Sequence, residues 1–262
     1  MAGKNRKAQQ DKKDRKIKNR GQDIKDKFIP ERTNAPIVAM SEKQKHYLAL
    51  LNNPEIQIII VEGLFGTGKS YCGAAVAGDK LRNGDIQKVI VSRAYVQTGK
   101  TSGFRPGTTL DKLYPYVRNA LDTISQRMGK GAYDTALGDG LTGKIEVQAL
   151  EDIRGRSFDE KSFLIIEEAQ QTEQEEMLSI VTRIGADCKL ILGGDESQRD
   201  TKGVSGLAWF KSFATRHNLS NVGYVNFDSP DDIVRSGIVA DIARGIAVDT
   251  AKAKKAKEDL KE

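Results

Sequence analysis

The sequence predicts an α/β fold, with a mostly parallel sheet and helices on both of its faces. Three observations lead there. Short continuous apolar runs alternate with segments of helical character along most of the 262 residues, as strands buried on both faces and joined by helical crossovers should. A glycine-rich turn follows directly on the first apolar run. The chain is also long enough to bury a full core.

Taken in order, Ser41-Glu42-Lys43-Gln44 followed by Tyr47, Leu48, Leu50 and Leu51 reads as a capped amphipathic helix. Ile58–Val61 is the first strand, and Tyr71 to Leu81 a helix beyond the glycine-rich turn. Strands are expected at Lys88–Ser92, Ile145–Leu150, Phe163–Ile166, Leu190–Leu192 and Val222–Phe227. Helices are expected from Leu110 to about Met128, over Glu173–Ile184 and over Leu207–Ala214. Ser229-Pro230-Asp231-Asp232 reads as a helix start, with a serine cap, proline in the first turn and acids against the dipole.

Charge divides the chain. The net charge is +6, yet residues 1–35 alone hold twelve Lys/Arg against five acids. Of 42 basic and 36 acidic residues, 30 and 31 remain for the rest, which is therefore near neutral. A segment so poor in large apolar residues cannot offset its own ordering entropy. The expected organisation is a disordered basic arm over 1–35, a folded domain over 36–248 and a charged tail over 249–262. No stretch is long and apolar enough to suggest a membrane span or a signal peptide, so a cytoplasmic protein with reduced Cys72 and Cys188 is expected. With only His46 and His217, a zinc or iron site is not expected.

Gly63-Leu64-Phe65-Gly66-Thr67-Gly68-Lys69-Ser70 has the Walker A spacing, with a buried strand before it and a helix after it. The glycines permit a path on which successive N–H groups face an anion, and the helix N-terminus adds positive potential. Lys69 is expected to reach the β- and γ-phosphates and the Ser70 hydroxyl to bind Mg²⁺. The loop together with Tyr71 forms the expected nucleotide-binding set.

Ser162-Phe163-Leu164-Ile165-Ile166-Glu167-Glu168 is an apolar strand ending in two acids, as Walker B requires. Glu167 is assigned to magnesium and Glu168 to polarising the attacking water. In ATPases of this class a further strand lies between those of Walker A and Walker B and ends in a polar γ-phosphate sensor. Leu190–Leu192 followed by Gly193-Gly194-Asp195-Glu196-Ser197-Gln198 fits, with Gln198 as sensor and Asp195 as its support; a polar turn is the alternative.

With these motifs in place, the chain resembles the PhoH family of ATPases from about Val38 to Ala247. The resemblance is carried by Gly63–Ser70, Arg154-Gly155-Arg156, Glu167-Glu168-Ala169-Gln170, Thr182-Arg183-Ile184-Gly185, Gly194-Asp195 with Gln198, Ser205-Gly206-Leu207 and Asp232-Ile233-Val234-Arg235. It implies a single RecA-like helicase core domain, ATP hydrolysis, an association with RNA metabolism and hexameric rings. The family is frequent in phage genomes, so the host cytoplasm is the expected location if a phage encodes the chain. Three positions depart from the family pattern. Glu167 replaces the usual Asp, displacing the carboxylate by about 1.5 Å. Leu64 stands where proline is common, and Arg93-Ala94 replaces Arg-Pro. The resemblance is to the short form of the family, in which no nuclease domain is expected after the ATPase domain.

The resemblance to helicases implies further roles. Gln44 reads the adenine edge, closes a capping box with Ser41, or does both. A lone core domain lacks the second domain that supplies an arginine across the nucleotide. A neighbouring subunit would then provide it, with Arg183 the first candidate and Arg235 the second. RNA or single-stranded DNA would meet the basic arm, Arg93-Ala94-Tyr95, Lys100 and Arg105, and Arg154 and Arg156, with Tyr95 or Phe104 available to stack a base. The competing readings are an ATP-gated scaffold that recruits a ribonuclease partner, and a small-molecule kinase.

Overall fold

Six parallel strands form one sheet in the order β3-β2-β4-β5-β1-β6. They are β1 (Ile58–Gly63), β2 (Lys88–Arg93), β3 (Ile145–Val147), β4 (Ser162–Glu167), β5 (Cys188–Gly194) and β6 (Val222–Phe227). The helices are α1 (Glu42–Asn52), α2 (Lys69–Asn83), α3 (Thr109–Met128), α4 (Lys130–Leu137), α5 (Leu150–Ile153), α6 (Gln174–Val181), α7 (Gly206–Arg216) and α8 (Gly237–Asp259). This is a computed structural model, and it describes residues 35–94, 109–138, 142–158, 161–200 and 202–259. Almost all of the basic arm, together with Tyr95, Lys100, Phe104 and Arg105, lies outside the described residues.

The continuous apolar runs have a simple cause. Successive side chains of a strand point to opposite faces, and both faces are covered. Ile59, Val61, Val89, Val91, Phe163 and Ile165 pack under α1, α2, α3 and α4. Their neighbours Ile58, Ile60, Ile90, Leu164, Ile166 and Leu190 pack against α5, α6 and α7. Cys72 and Cys188 are buried free thiols in these two layers. Among the described residues, no helix is long and apolar enough to cross a membrane.

Several boundaries differ from expectation. β3 stops at Val147, and Leu150 opens a short helix with Glu151 and Asp152 in its first turn, where acids favour the dipole. The buried Glu146 in β3 holds Lys88 at 2.7 Å and Arg156 at 2.6 Å. Helix α4 was not anticipated. Helix α6 begins at Gln174, after a capping box made by Glu173 and Glu176, and ends at Val181. Ser229 caps only a 3₁₀ turn, Pro230–Asp232. Lys43 takes the Asp232 carboxylate at 2.8 Å, and Val234 donates its N–H to the Gly66 carbonyl at 3.0 Å. The chain is thereby held against the phosphate loop, and α8 begins at Gly237.

Lys189 in β5 closes the end of α1 by donating to the Asn53 and Leu50 carbonyls at 2.6 and 3.1 Å. Burial, with the Lys80 charge added, pulls it down to about 8 from 10.5. Between those values the unfolded chain holds more protons than the folded one, so this residue makes stability rise with pH there. Below that window both states are protonated and the burial cost is fully felt. Lys189→Met is expected to lack the increment, on the order of 1–3 kcal/mol. The check compares chemical denaturation of both proteins at about pH 7 and about pH 10.

Candidate nucleotide-binding site

All the chemistry gathers at the carboxyl edge of the sheet, where open α/β sheets place their ligands. β1 runs into the phosphate loop through Gly63, whose φ of 119° and close approach to β6 exclude any side chain: a Cβ there would lie 2.2 Å from the Phe227 carbonyl oxygen. Leu64 N–H donates to that same oxygen at 2.8 Å. Thr67 Oγ1 donates to the Leu64 carbonyl at 2.9 Å. The loop ends at Gly68, in left-handed conformation, as the N-cap of α2. Lys69 Nζ donates to the Gly63 and Leu64 carbonyls at 2.5 and 2.6 Å. Burial pulls this ammonium down to about 8, against the opposing pull of Asp195 and Glu168.

The loop opens onto a cavity of about 520 Å³, lined also by Gln44, Arg93, Glu167, Glu168, Asp195, Gln198 and Arg235. Gln44 is buried. Its Nε2 donates to the Thr67 carbonyl at 2.9 Å, and its Oε1 accepts from Met40 N–H at 2.8 Å. Ser41 Oγ accepts from Gln44 N–H at 3.2 Å, so half of the expected capping box forms. The other half is replaced by the Met40 bond and by a brace on the phosphate loop. Each end of the amide keeps one hydrogen-bonding position in hand.

β5 lies between β1 and β4, which is the strand placement expected from the sequence. It delivers Asp195, whose Oδ1 accepts from Ser197 N–H at 3.0 Å and whose Oδ2 accepts from Gln198 Nε2 at 2.6 Å. β4 delivers the two glutamates. Burial pushes the Glu167 carboxyl up, with the Ser70 hydroxyl and the Arg93 charge pulling against it and Glu168 adding to it. Glu167 Oε1 is buried and lacks a hydrogen-bond partner among the described residues. One orphaned carboxylate oxygen beside a hydroxyl, at the mouth of an anion loop, suits a hard cation such as Mg²⁺, which keeps most of its ligands as water and phosphate. Among the described residues no cluster of His, Cys, Asp or Glu would hold a metal without phosphate.

Glu168 departs furthest from ordinary geometry. Its φ of 54° and ψ of 37° place a non-glycine residue in the left-handed region. Such a conformation costs about 1–3 kcal/mol and persists where surroundings impose it, often at functional sites. Here the surroundings are identifiable. Gln170 is fully buried; it donates from Nε2 to Glu168 Oε2 at 2.7 Å and accepts Asp195 N–H on Oε1 at 3.1 Å. Arg93 Nη2 stands 3.4 Å from Glu168 Oε1.

The structure thus brings together the phosphate loop with Tyr71, Gln44, Glu167, Glu168, Gln198 and Arg235 around one cavity. Arg235 borders its own loop: a Cβ at Gly66 would lie 3.4 Å from Arg235 Cβ. Arg183 is exposed just past α6 and does not line the cavity. Arg156 pairs with Glu146 and lies over the Phe158 ring at 4.7 Å, while Arg154 pairs with Glu176. Both guanidiniums are therefore engaged within the fold. Sequence reasoning missed Tyr116, Asn119 and Thr123 of α3, which also line the cavity, and the orienting role of Gln170. For Gln170 the run Glu167-Glu168-Ala169-Gln170 was the only signal; for α3 there was none.

Fold and site together define a P-loop nucleotide triphosphatase. The PhoH-like protein family matches residues 36–247, and the chain belongs to that family. It is 34% identical over 209 residues to Protein PhoH of Escherichia coli K12, covering 79% of this chain and 57% of that protein. It is 34% identical over 201 residues to the PhoH-like protein of Bacillus subtilis 168, covering 76% and 60%. The chain therefore spans less than two thirds of these relatives. Among solved structures, the large terminase of a thermophilic bacteriophage aligns with a TM-score of 0.47 at 15% identity, over 76% of this chain and 48% of that one.

Proposed function

We propose that the protein is a Mg²⁺-dependent ATPase whose turnover is coupled to RNA or single-stranded DNA, working as an oligomeric ring. One observation carries the hydrolase reading: the Glu168 carboxylate stands in the phosphate cavity, held at Oε2 by the buried Gln170 amide. A base so held can take the proton of a water attacking the γ-phosphorus. A kinase would need that position for an acceptor.

Lys69 and the loop amides bind the β- and γ-phosphates. Ser70 and Glu167 hold the cation, which when bound neutralises phosphate charge. Gln198, oriented by Asp195, contacts the γ-phosphate. Gln44 uses its spare amide positions on adenine, beside exposed Val38, Met40 and Tyr71, an apolar seat for a base. The missing positive charge at the transferring group comes from a neighbouring subunit. Exposed Arg183 fits that part first; Arg235, the second candidate, lines the cavity of its own subunit and would supply its charge there in cis.

Coupling to nucleic acid is supported by family membership and by the twelve basic residues of 1–35. Steady-state phosphate release is expected to rise several-fold with RNA or single-stranded DNA, and that stimulation to weaken with salt. Turnover indifferent to both would remove the coupling and leave the ATP-gated scaffold with a ribonuclease partner.

A further inference from the structure

We infer that Arg93 is a restraint on Glu168, released when a phosphate of a bound single strand takes its guanidinium. The nature of the strand rests on the function proposed above; the restraint rests on geometry alone. A carboxylate has two oxygens, and those of Glu168 are held unequally. Oε2 takes the Gln170 amide at 2.7 Å, and Gln170 is itself fully buried and tied to Asp195 N–H at 3.1 Å. That side is rigid. Oε1 faces Arg93 at 3.4 Å, well beyond the ~2.7–2.9 Å of a full charge-assisted bond. By contrast Arg156 meets Glu146 at 2.6 Å. Oε1 is thus the oxygen left for a water, and Arg93 competes for it.

Arg93 is placed for exchange. It ends β2, in register with Glu167 of β4, and Ala94 N–H donates to the Glu167 carbonyl at 2.9 Å. Its backbone is therefore fixed relative to Glu168, while its side chain is about a third exposed at the carboxyl edge of the sheet. Besides its charge interaction with Glu167, it makes a bond to the Tyr116 carbonyl at 3.2 Å and lies 5.8 Å from the Tyr116 ring centroid. A guanidinium held this loosely favours the bidentate geometry a phosphodiester offers.

The phosphate could instead be the γ-phosphate of ATP, and the two sources predict opposite results for one variant. If a strand releases the restraint, Arg93→Gln raises kcat without nucleic acid roughly two- to fivefold, the size an ion pair of this exposure can contribute. ATP KM stays within about twofold, and stimulation by oligo(U) or oligo(dT) falls towards none. Adding Glu168→Gln abolishes the gain, and Arg93→Lys, which keeps the charge but not the fork, lies between. A basal kcat that falls or does not change in Arg93→Gln, with the melting temperature preserved, overturns the restraint. If neither oligonucleotide stimulates the wild type while Arg93→Gln still turns over faster, the coupling and the strand are lost and the restraint stands.

Discussion

Glu168→Gln is expected to bind ATP with an affinity within a few-fold of wild type and to hydrolyse it about 10²–10⁴ times more slowly, the range a positioned general base supplies. Glutamine has the same shape and can still accept the Gln170 amide, which donates to Glu168 Oε2 at 2.7 Å. What it cannot do is take a proton from water. The substitution therefore separates binding from chemistry. Fluorescent-nucleotide titration measures the first and single-turnover phosphate release the second. Turnover close to wild type would remove Glu168 from the mechanism, and its left-handed backbone would need another explanation.

Lys69→Ala is expected to produce the opposite division. Charge-assisted hydrogen bonds are worth about 1.5–3 kcal/mol each, so loss of the ammonium should weaken ATP binding by at least an order of magnitude. Folding should not suffer equally. Burial already pulls Lys69 down to about 8, which marks an ammonium the fold holds at a cost, and its bonds to the Gly63 and Leu64 carbonyls offset only part of it. The melting temperature is expected to stay level or rise while nucleotide affinity collapses. A variant that loses stability and affinity together would mean that Lys69 chiefly braces the loop.

The two parts of the site differed in how far they could be read beforehand. Walker A and Walker B are short, contiguous runs whose meaning depends on a strand before and a turn after. Both conditions were visible in the alternation of apolar residues. Asp195 and Gln198 were legible for the same reason, three residues apart on one turn. Ser229-Pro230-Asp231-Asp232 misled because its caps are genuine but local. Lys43, almost 190 residues away, holds Asp232, and the chain turns to brace Gly66 rather than coil. The ion pairs of Arg154 and Arg156 are not visible in the sequence, because their partners, Glu176 and Glu146, belong to other elements.

The sequence by itself determined the parallel sheet, the anion loop and the identity of the two carboxylates, since each follows from the residue types of one continuous segment. Only the tertiary structure decided what stands around those carboxylates. Arg93 meets Glu168 because β2 pairs with β4 in one register, Gln170 reaches Asp195 because β5 lies next to β4, and α3 closes a wall that no motif announces. Strand register and helix docking depend on the packing of the whole core, so no local pattern can specify them.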